Sequence, residues 1–443
     1  MRSISTPRRG PHAFLLLPVL AAALACSEIT SLDQNNPGQV VARDVYVPAN
    51  ANLLVNGAIG DFECAFHRYV ISQGVFGDEL VNAFAQTNNF DWDRRTMATS
   101  HPYGTTSCGG TFQFPGHYTP LSVARTTADT ILARLHEWTD AEMPTGINRQ
   151  QLIGRAANYA GYSILLLGEG MCSAAINIGP ELSKAQLWEE AVARFDVAVT
   201  AATTANDNAM LNMARVGRAR ARLNLGQVAQ AGADAAAVPA GFAVNAAALA
   251  TGNNRQQNLV FVHTRVSNFS SVDESFVDLT FGGVPDPRVT VNVTTTLGTN
   301  GFTPIRQVMK YADRGAPIPI ARTNEALLIQ AEAQVAAGSL QAAVDIINAL
   351  HTEAGIPAYD GTGQSAAQVL AQVIEERRRE LFLESHRLGD MNRYQLPRLP
   401  ADGTAFPNGG VYSSQACPGA NAAGYPFGFP LPDIERLNNP NIP

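Results

Sequence analysis

The stretch Arg322–Leu350, RTNEALLIQAEAQVAAGSLQAAVDIINAL, leaves the chain few ways to fold. It predicts two helices joined by a very short turn. Leu328, Ala331 and Val335 share a stripe on the first, over about Thr323–Ala337. Ala343, Val344, Ile347 and Leu350 share one on the second, which starts at Leu340. Residues three and four apart lie on one helix face. Gly338 sits where a left-handed helix end needs a residue without a Cβ. Ser339 is placed to cap the second helix. A hairpin this small cannot bury its apolar stripe alone, so it needs neighbours of the same kind.

Such neighbours are present. Gln151–Leu167, Lys184–Ala201, Ala209–Leu225 and Gln227–Ala237 repeat the helical period, with breaks at Gly168, Gly226 and Pro239. Asn52–Phe66 and Tyr118–Trp138 add two more helices. The pairs resemble tetratricopeptide (TPR) units, hairpin repeats of about 34 residues, although a plain helical bundle can produce the same loose pattern. Ser365 and Gln368 have capping-box spacing for a final long helix to about Asp390. Phe84–His117 reads as a long loop, and Phe242–Tyr311 as an irregular insert. Within that insert Leu259–Val266 and Val289–Thr296 are β-rich. Pro397–Pro443 reads as coil wrapped on the body. The expected fold class is therefore all-α dominated: TPR-like helical hairpins forming an α-α superhelix, with loop-rich inserts and a few short strands.

The N-terminus reads as an export signal. Arg2, Arg8 and Arg9 precede Ala13–Ala25, an apolar run too short to cross a bilayer but suited to a signal-peptide core. The run ends Ala-Leu-Ala-Cys, which resembles a bacterial lipobox with Cys26 as the lipidated residue. Alanine at Ala23 and leucine at Leu24 depart from the commonest pattern, and ordinary cleavage into a secreted protein is the alternative. The expected organisation is 1–26 lipoprotein signal peptide, 27–40 polar tether and 41–443 one domain.

A net charge of −7 argues against nucleic acid as partner. No CxxC pair suggests zinc, and no GxSxG, HExxH, phosphate-binding loop or dinucleotide fingerprint suggests an enzyme. Asp91 and Asp93 are two apart and seldom could straddle a glycosidic bond. His386 with Asp390 has helical spacing for a metal, but the surrounding charges explain the pair better. No cofactor and no metal are expected. Cys64, Cys108, Cys172 and Cys417 allow two disulfides in any of three pairings, or four buried thiols. Proximity alone favours Cys64 with Cys108.

Three segments carry a family resemblance. Glu376-Arg377 to Arg393 lies in VIEERRRELFLESHRLGDMNRY, where apolar and charged residues crowd every side, so some charges should be internal and paired. Pro317–Leu328 with Ala331-Glu332-Ala333 leads into the hairpin described above. Phe429-Pro430-Leu431-Pro432-Asp433-Ile434-Glu435 with Asn438-Asn439-Pro440 closes the chain. Together they resemble the SusD/RagB-like outer-membrane lipoproteins, most closely over about 310–443 and at the N-terminus. Ser385 stands where that family has glycine and Met391 where it has leucine. The resemblance implies a TPR core with a loop-rich ligand face. It further implies capture of a nutrient, most often a glycan, for a SusC-like TonB-dependent transporter. It implies a lipid anchor at the outer membrane. Glu376, Arg377, Glu380, Glu384, Arg387 and Asp390 are read as structural.

The ligand face is guessed from chemistry. Sugars offer flat C–H faces and hydroxyls, which suit aromatic platforms beside amides and carboxylates. Asn88, Asn89, Phe90, Asp91 and Trp92 place such groups in one stretch, with Asp93 beside them. Tyr103 joins them, and Asn268, Phe269 and Glu274 are secondary candidates. The competing reading makes Phe90 and Trp92 a local core under the loop. At the level of the whole protein, the alternative is a TPR scaffold lipoprotein for envelope assembly with no small ligand.

Overall fold

Helix after helix packs against its predecessor in the computed structural model, which describes residues 42–109, 113, 115–251, 253 and 255–442. The signal sequence, Cys26 and the tether lie outside these residues. The chain divides into two units, Met1–Val47 and Pro48–Pro443. In the first, the described residues contain a helical turn, Ala42–Val45. All other helices and strands belong to the second.

The helical body runs α1 (Ala51–Phe76), α2 (Thr87–Asp93), α3 (Tyr118–Glu137), α4 (Arg149–Gly170), α5 (Lys184–Ala205) and α6 (Asn208–Asn224). It continues with α7 (Val228–Ala236), α8 (Thr323–Ala336), α9 (Leu340–Ala354) and α10 (Ala366–Glu380), then α11 (Arg387–Tyr394) and the short α12 (Asp433–Arg436). Leaving aside the small α2, each helix from α1 to α10 packs on the next in the series. The hairpin α8–α9 closes on α10 through Ala331, Val335, Ala343, Val344, Ile347, Val369 and Val373. Leu328 and Leu350 meet Leu381 beside them. These are the stripes that the sequence pattern predicts. Gly338 has φ +77, as a left-handed helix end requires. Ser339 occupies the N-cap of α9 without a side-chain capping bond, whereas the Ser365–Gln368 capping box at α10 forms in full.

Short antiparallel pairs decorate this body: β1 (Leu80–Asn82) with β5 (Ser270–Val272), and β2 (Ser173–Ala175) with β3 (Glu181–Ser183). The others are β4 (Ala243–Ala246) with β10 (Ile318–Arg322), β6 (Thr280–Phe281) with β7 (Val284–Pro285), and β8 (Val291–Leu297) with β9 (Pro304–Val308). The strand expected over Val289–Thr296 is thus β8. Leu259–Val266 is helical instead. Asn258 Oδ1 accepts the Phe261 N–H at 3.0 Å and starts a helical turn. The turn then widens over Val262–Val266, burying Val260, Val262, His263 and Thr264. Burial of the β-branched side chains outweighs their lower helix propensity once the cap has set the first turn.

The final helix also departs from expectation. It breaks after Glu380 and restarts at Arg387, with Leu383 at φ +54 and Ser385 at φ +75 between. The cause is competition for backbone groups. Lys310 Nζ donates to Phe382 O at 2.8 Å, Tyr311 Oη donates to Leu383 O at 3.0 Å, and Leu383 N–H donates to Glu79 at 2.7 Å. Those carbonyls and that amide are lost to a helical ladder. Ser385 is therefore not on a helix. It holds a left-handed position that suits glycine, with its carbonyl accepting from Arg220.

The charges of this segment are internal and paired. Arg322 binds Glu380 at 2.7 Å and Glu384 at 2.8 Å; Arg377 binds Asp390 at 2.8 Å; Arg288 binds Glu376 at 2.6 Å. Cys64 pairs with Cys108 and Cys172 with Cys417.

Candidate functional site

Thr87–Asp93 is α2, not loop, and its position follows from β1. Asp93 accepts the Asn82 N–H at 3.1 Å, which ties the end of α2 to the end of β1. Asn82 in turn clasps Phe84: its Oδ1 accepts the Phe84 N–H at 3.1 Å and its Nδ2 donates to Phe84 O at 2.9 Å. The turn Gly298–Thr303 between β8 and β9 then lies against 82–85. Ala85 N–H donates to Thr299 Oγ1 at 3.1 Å, and Asn300 Nδ2 donates to Asn82 O at 3.0 Å. A Cβ at Gly298 would stand 2.3 Å from Ala83 O, so only glycine allows this approach.

The result is a face of phenylalanines drawn from four segments. Phe84 and Phe269 are 4.2 Å apart by ring centroid. Phe90, Phe302 and Phe406 form a triangle with sides of 6.2, 5.8 and 6.0 Å. Phe84, Phe90, Phe269 and Phe302 are half-buried, while Phe406 is buried beneath them. Polar groups edge the triangle. Arg94 lies 5.4 Å over Phe406, pairs with Asp91 and donates to Gly409 O at 2.9 Å. Such rings offer flat apolar contact, and the Asp91–Arg94 pair offers acceptors and donors at its margin.

The sequence-derived residues separate into two groups. Asn88, Phe90 and Asp91 are half-buried; Phe90 and Asp91 reach this face, whereas Asn88 is tied through its carbonyl to His101 at 2.8 Å. Asn89, Trp92 and Tyr103 belong to the core. Trp92 is 2% exposed, donates its indole N–H to Ser72 O at 3.2 Å and packs edge-on against Phe429 and His101. Tyr103 is fully buried and donates its hydroxyl to Pro430 O. Asn89 donates to Gln113 O at 3.2 Å. In this structure neither Trp92 nor Tyr103 presents a ring face to solvent, because the closing segment around Phe429 covers both. Among the secondary candidates, Phe269 joins the face. Glu274 is exposed and pairs with Arg306 at 3.1 Å. Asn268 has φ +50 and its Oδ1 is buried. Phe302 and Phe406 were missed, being single aromatics in Gly-, Asn- and Pro-rich loops with no periodic signal. Only their sequence setting, GTNGFTP and TAFPNGG, marks them.

Under the face, burial pushes the Asp93 carboxyl up to about 7, opposed by the Asn82 N–H and by Arg95. The folded protein therefore favours neutral Asp93, and stability falls as pH rises from the unfolded value near 4 through about 7. Asp93→Asn keeps an acceptor for Asn82 while removing the charge. It is expected to raise the melting temperature at pH 8 and to leave it nearly unchanged at pH 4. An equal effect at both pH values would show that Asp93 is not the titrating group.

A separate cleft of about 640 Å³ lies between α3, the 175–178 turn and α12, with Val123, Ile178 and Ile434 on its rim. Its lining mixes aliphatic and polar side chains with Tyr118, and none of the sequence-derived ligand residues lines it. Among the described residues no group of three or more His, Cys, Asp or Glu is arranged to hold a metal. No helix there is long and apolar enough to cross a membrane.

Residues 286–441 match the model of the SusD family. The fold matches a SusD superfamily protein from Bacteroides vulgatus with a TM-score of 0.66 at 16% identity, over 89% of this chain and 97% of that one. A SusD-like carbohydrate binding protein from the same organism matches with a TM-score of 0.59 at 18% identity, over 89% and 96%. A SusD superfamily protein from Bacteroides fragilis gives 0.64 at 14%, over 89% and 99%. No curated protein matches the chain. The resemblance read from the three sequence segments, and the helix-dominated fold class with it, are borne out.

Proposed function

We propose that this chain, with its SusD family segment at 286–441 and a SusD superfamily fold, binds a nutrient glycan at the phenylalanine face and hands it to a TonB-dependent transporter. The observation that carries the reading is the face itself. Half-buried rings from 84, 90, 269 and 302 stand with the Asp91–Arg94 pair at their edge. Sugar C–H faces stack on such rings, while hydroxyls take the carboxylate and guanidinium. One structural neighbour is described as a carbohydrate binding protein, which agrees with this class of ligand. Anchoring through Cys26 at the outer membrane, with a SusC-like barrel as partner, completes the proposal. The helical body supplies the rigid support that lets loops hold a ligand. The role proposed for the face is binding.

The test is calorimetric titration of a glycan panel into the lipid-free protein, repeated with Phe90→Ala and Phe302→Ala. A bound glycan is expected to lose about tenfold in affinity in each variant, the equivalent of about 1.4 kcal/mol per ring. Melting temperatures should shift little, since both rings are half-buried. Binding that survives in both variants places the ligand elsewhere. Trp92→Ala is the wrong probe, because it opens a cavity in the core.

A further inference from the structure

The pair Asn-Gly occurs at 56–57, 300–301 and 408–409. It is a reactive pair. Glycine has no Cβ to keep its backbone nitrogen away from the preceding side chain, so that nitrogen can attack the asparagine Cγ where the local structure allows it. The copies stand in different structures, and these decide between them.

Asn56-Gly57 lies inside α1, where helical dihedrals and the backbone ladder fix the Gly57 nitrogen. Asn300-Gly301 lies in the turn between β8 and β9, where the asparagine side chain is pinned. Its Nδ2 donates to Asn82 O at 3.0 Å and to Thr303 Oγ1 at 2.8 Å, and its Oδ1 accepts the N–H groups of Phe302 at 3.3 Å and Thr303 at 3.1 Å. Asn408-Gly409 forms the tip of a small hairpin, closed by the Ala405–Val411 bridge and by Phe406 N–H donating to Gly410 O at 3.0 Å. Asn408 is exposed, and among the described residues its amide has no hydrogen-bond partner. The two glycines that follow, at φ +92 and +80, let the tip change conformation at low cost. Two bonds hold Gly409. Its N–H donates to Phe406 O at 2.9 Å, and its carbonyl accepts from Arg94 Nη1 at 2.9 Å. Arg94 fits closely here: a Cβ at Gly410 would stand 2.9 Å from the same nitrogen.

We propose that Asn408 is a site of spontaneous modification, and that its conversion to aspartate and isoaspartate releases Arg94 from the hairpin that carries Phe406. When the tip opens, the Gly409 nitrogen gives its proton to hydroxide and bonds to Asn408 Cγ. The Cγ–Nδ2 bond breaks, and Nδ2 leaves as ammonia after taking a proton from water. A cyclic succinimide remains, and water adds to either of its carbonyls. Opening at Cγ leaves aspartate with the main chain as before. Opening at the backbone carbonyl leaves isoaspartate, whose main chain runs through the former side chain and is a methylene longer. Either product puts a carboxylate beside the Gly409 carbonyl, where it competes with Asp91 for Arg94. The longer isoaspartate chain also shifts Gly409 O relative to Arg94. The chemistry at 408 stands on the hairpin alone. Only its effect on a ligand rests on the phenylalanine face as the binding site, so the test uses no ligand.

The folded lipid-free protein is incubated in warm, mildly alkaline buffer, digested at acid pH and mapped by mass spectrometry over time. The peptide containing 408 is expected to gain the mass of an amide-to-acid exchange and to divide into aspartate and isoaspartate forms, faster as pH rises. Conversion at Asn300 and Asn56 should be slower by at least about tenfold, because side-chain bonds or a helical turn must be given up first. Asn408→Gln should abolish the signal at 408, since the longer side chain closes a larger, slower ring. Arg94→Ala frees the Gly409 carbonyl and should speed conversion. Hydrogen exchange over 405–411 should rise in the converted protein and not in Asn408→Gln incubated alongside. An unmodified Asn408, or equal conversion at 56, 300 and 408, overturns the proposal. Conversion with no rise in exchange overturns the release of Arg94.

Discussion

Arg322→Ala is expected to lower the unfolding free energy by about 3–5 kcal/mol, the cost of stranding buried charge. Arg322 holds Glu380 and Glu384, whose side chains are 8% and 3% exposed, and it also donates to Glu380 O at 2.7 Å. Removing it leaves two carboxylates in the interior with Lys310, Arg288 and Asn324 as remaining partners. The pH dependence carries the signature. Burial pushes the Glu384 carboxyl up, but Lys310 and Arg322 overcome this and hold it at about 2. A depressed carboxyl contributes stability that is complete above its unfolded value, near 4.3, and is lost as pH falls through about 2. The wild type should therefore weaken between those two values, and Arg322→Ala should weaken less over the same interval from a lower start. Denaturant unfolding at pH 7 and pH 3 measures both. A loss below about 1 kcal/mol at pH 7 would show that the remaining partners suffice.

Replacing both Cys172 and Cys417 by alanine is expected to cost about 2–5 kcal/mol. These cysteines are 245 residues apart, against 44 for Cys64 and Cys108. In the chain-entropy account the longer closure stabilises by about 1.5 kcal/mol more. The bond fastens the coil after Pro397 to the start of β2, beside Cys172 N–H donating to Phe429 O at 2.8 Å. Hydrogen exchange in 400–430 should therefore rise before that of α4 or α5. Greater damage from losing Cys64–Cys108 would mean that native packing around each bond outweighs loop length.

The helical hairpins could be read from the sequence because their signal is local. Ala331, Val335, Ala343 and Ile347 announce a stripe without reference to anything distant, and they form one core cluster. The break between α10 and α11 could not be read this way. Lys310, Tyr311 and Glu79 create it from far along the chain. The site divides on the same line. Phe90 and Asp91 were visible as an aromatic beside a carboxylate. Trp92 and Tyr103 have the same local appearance, yet the Phe429 segment covers them, and that contact is set by the last stretch of the chain. Phe302 and Phe406 carry no period at all; β1 and the coil bring them in.

Arg95 anchors that coil. It is almost fully buried and donates to Ser413 O at 2.9 Å and to Pro400 O at 2.6 Å, while Arg94 reaches Gly409 across 315 residues of sequence. In a chain made from its N-terminus, α2 is thus among the first elements to exist and among the last to be finished. Until residue 413 arrives, Arg95 is a cation without the carbonyls that solvate it, and Phe90 lacks the ring beneath it. Competence to hold a ligand is in this sense a timestamp of complete synthesis: a polypeptide truncated before the final coil keeps most of its helices but has no finished face to offer.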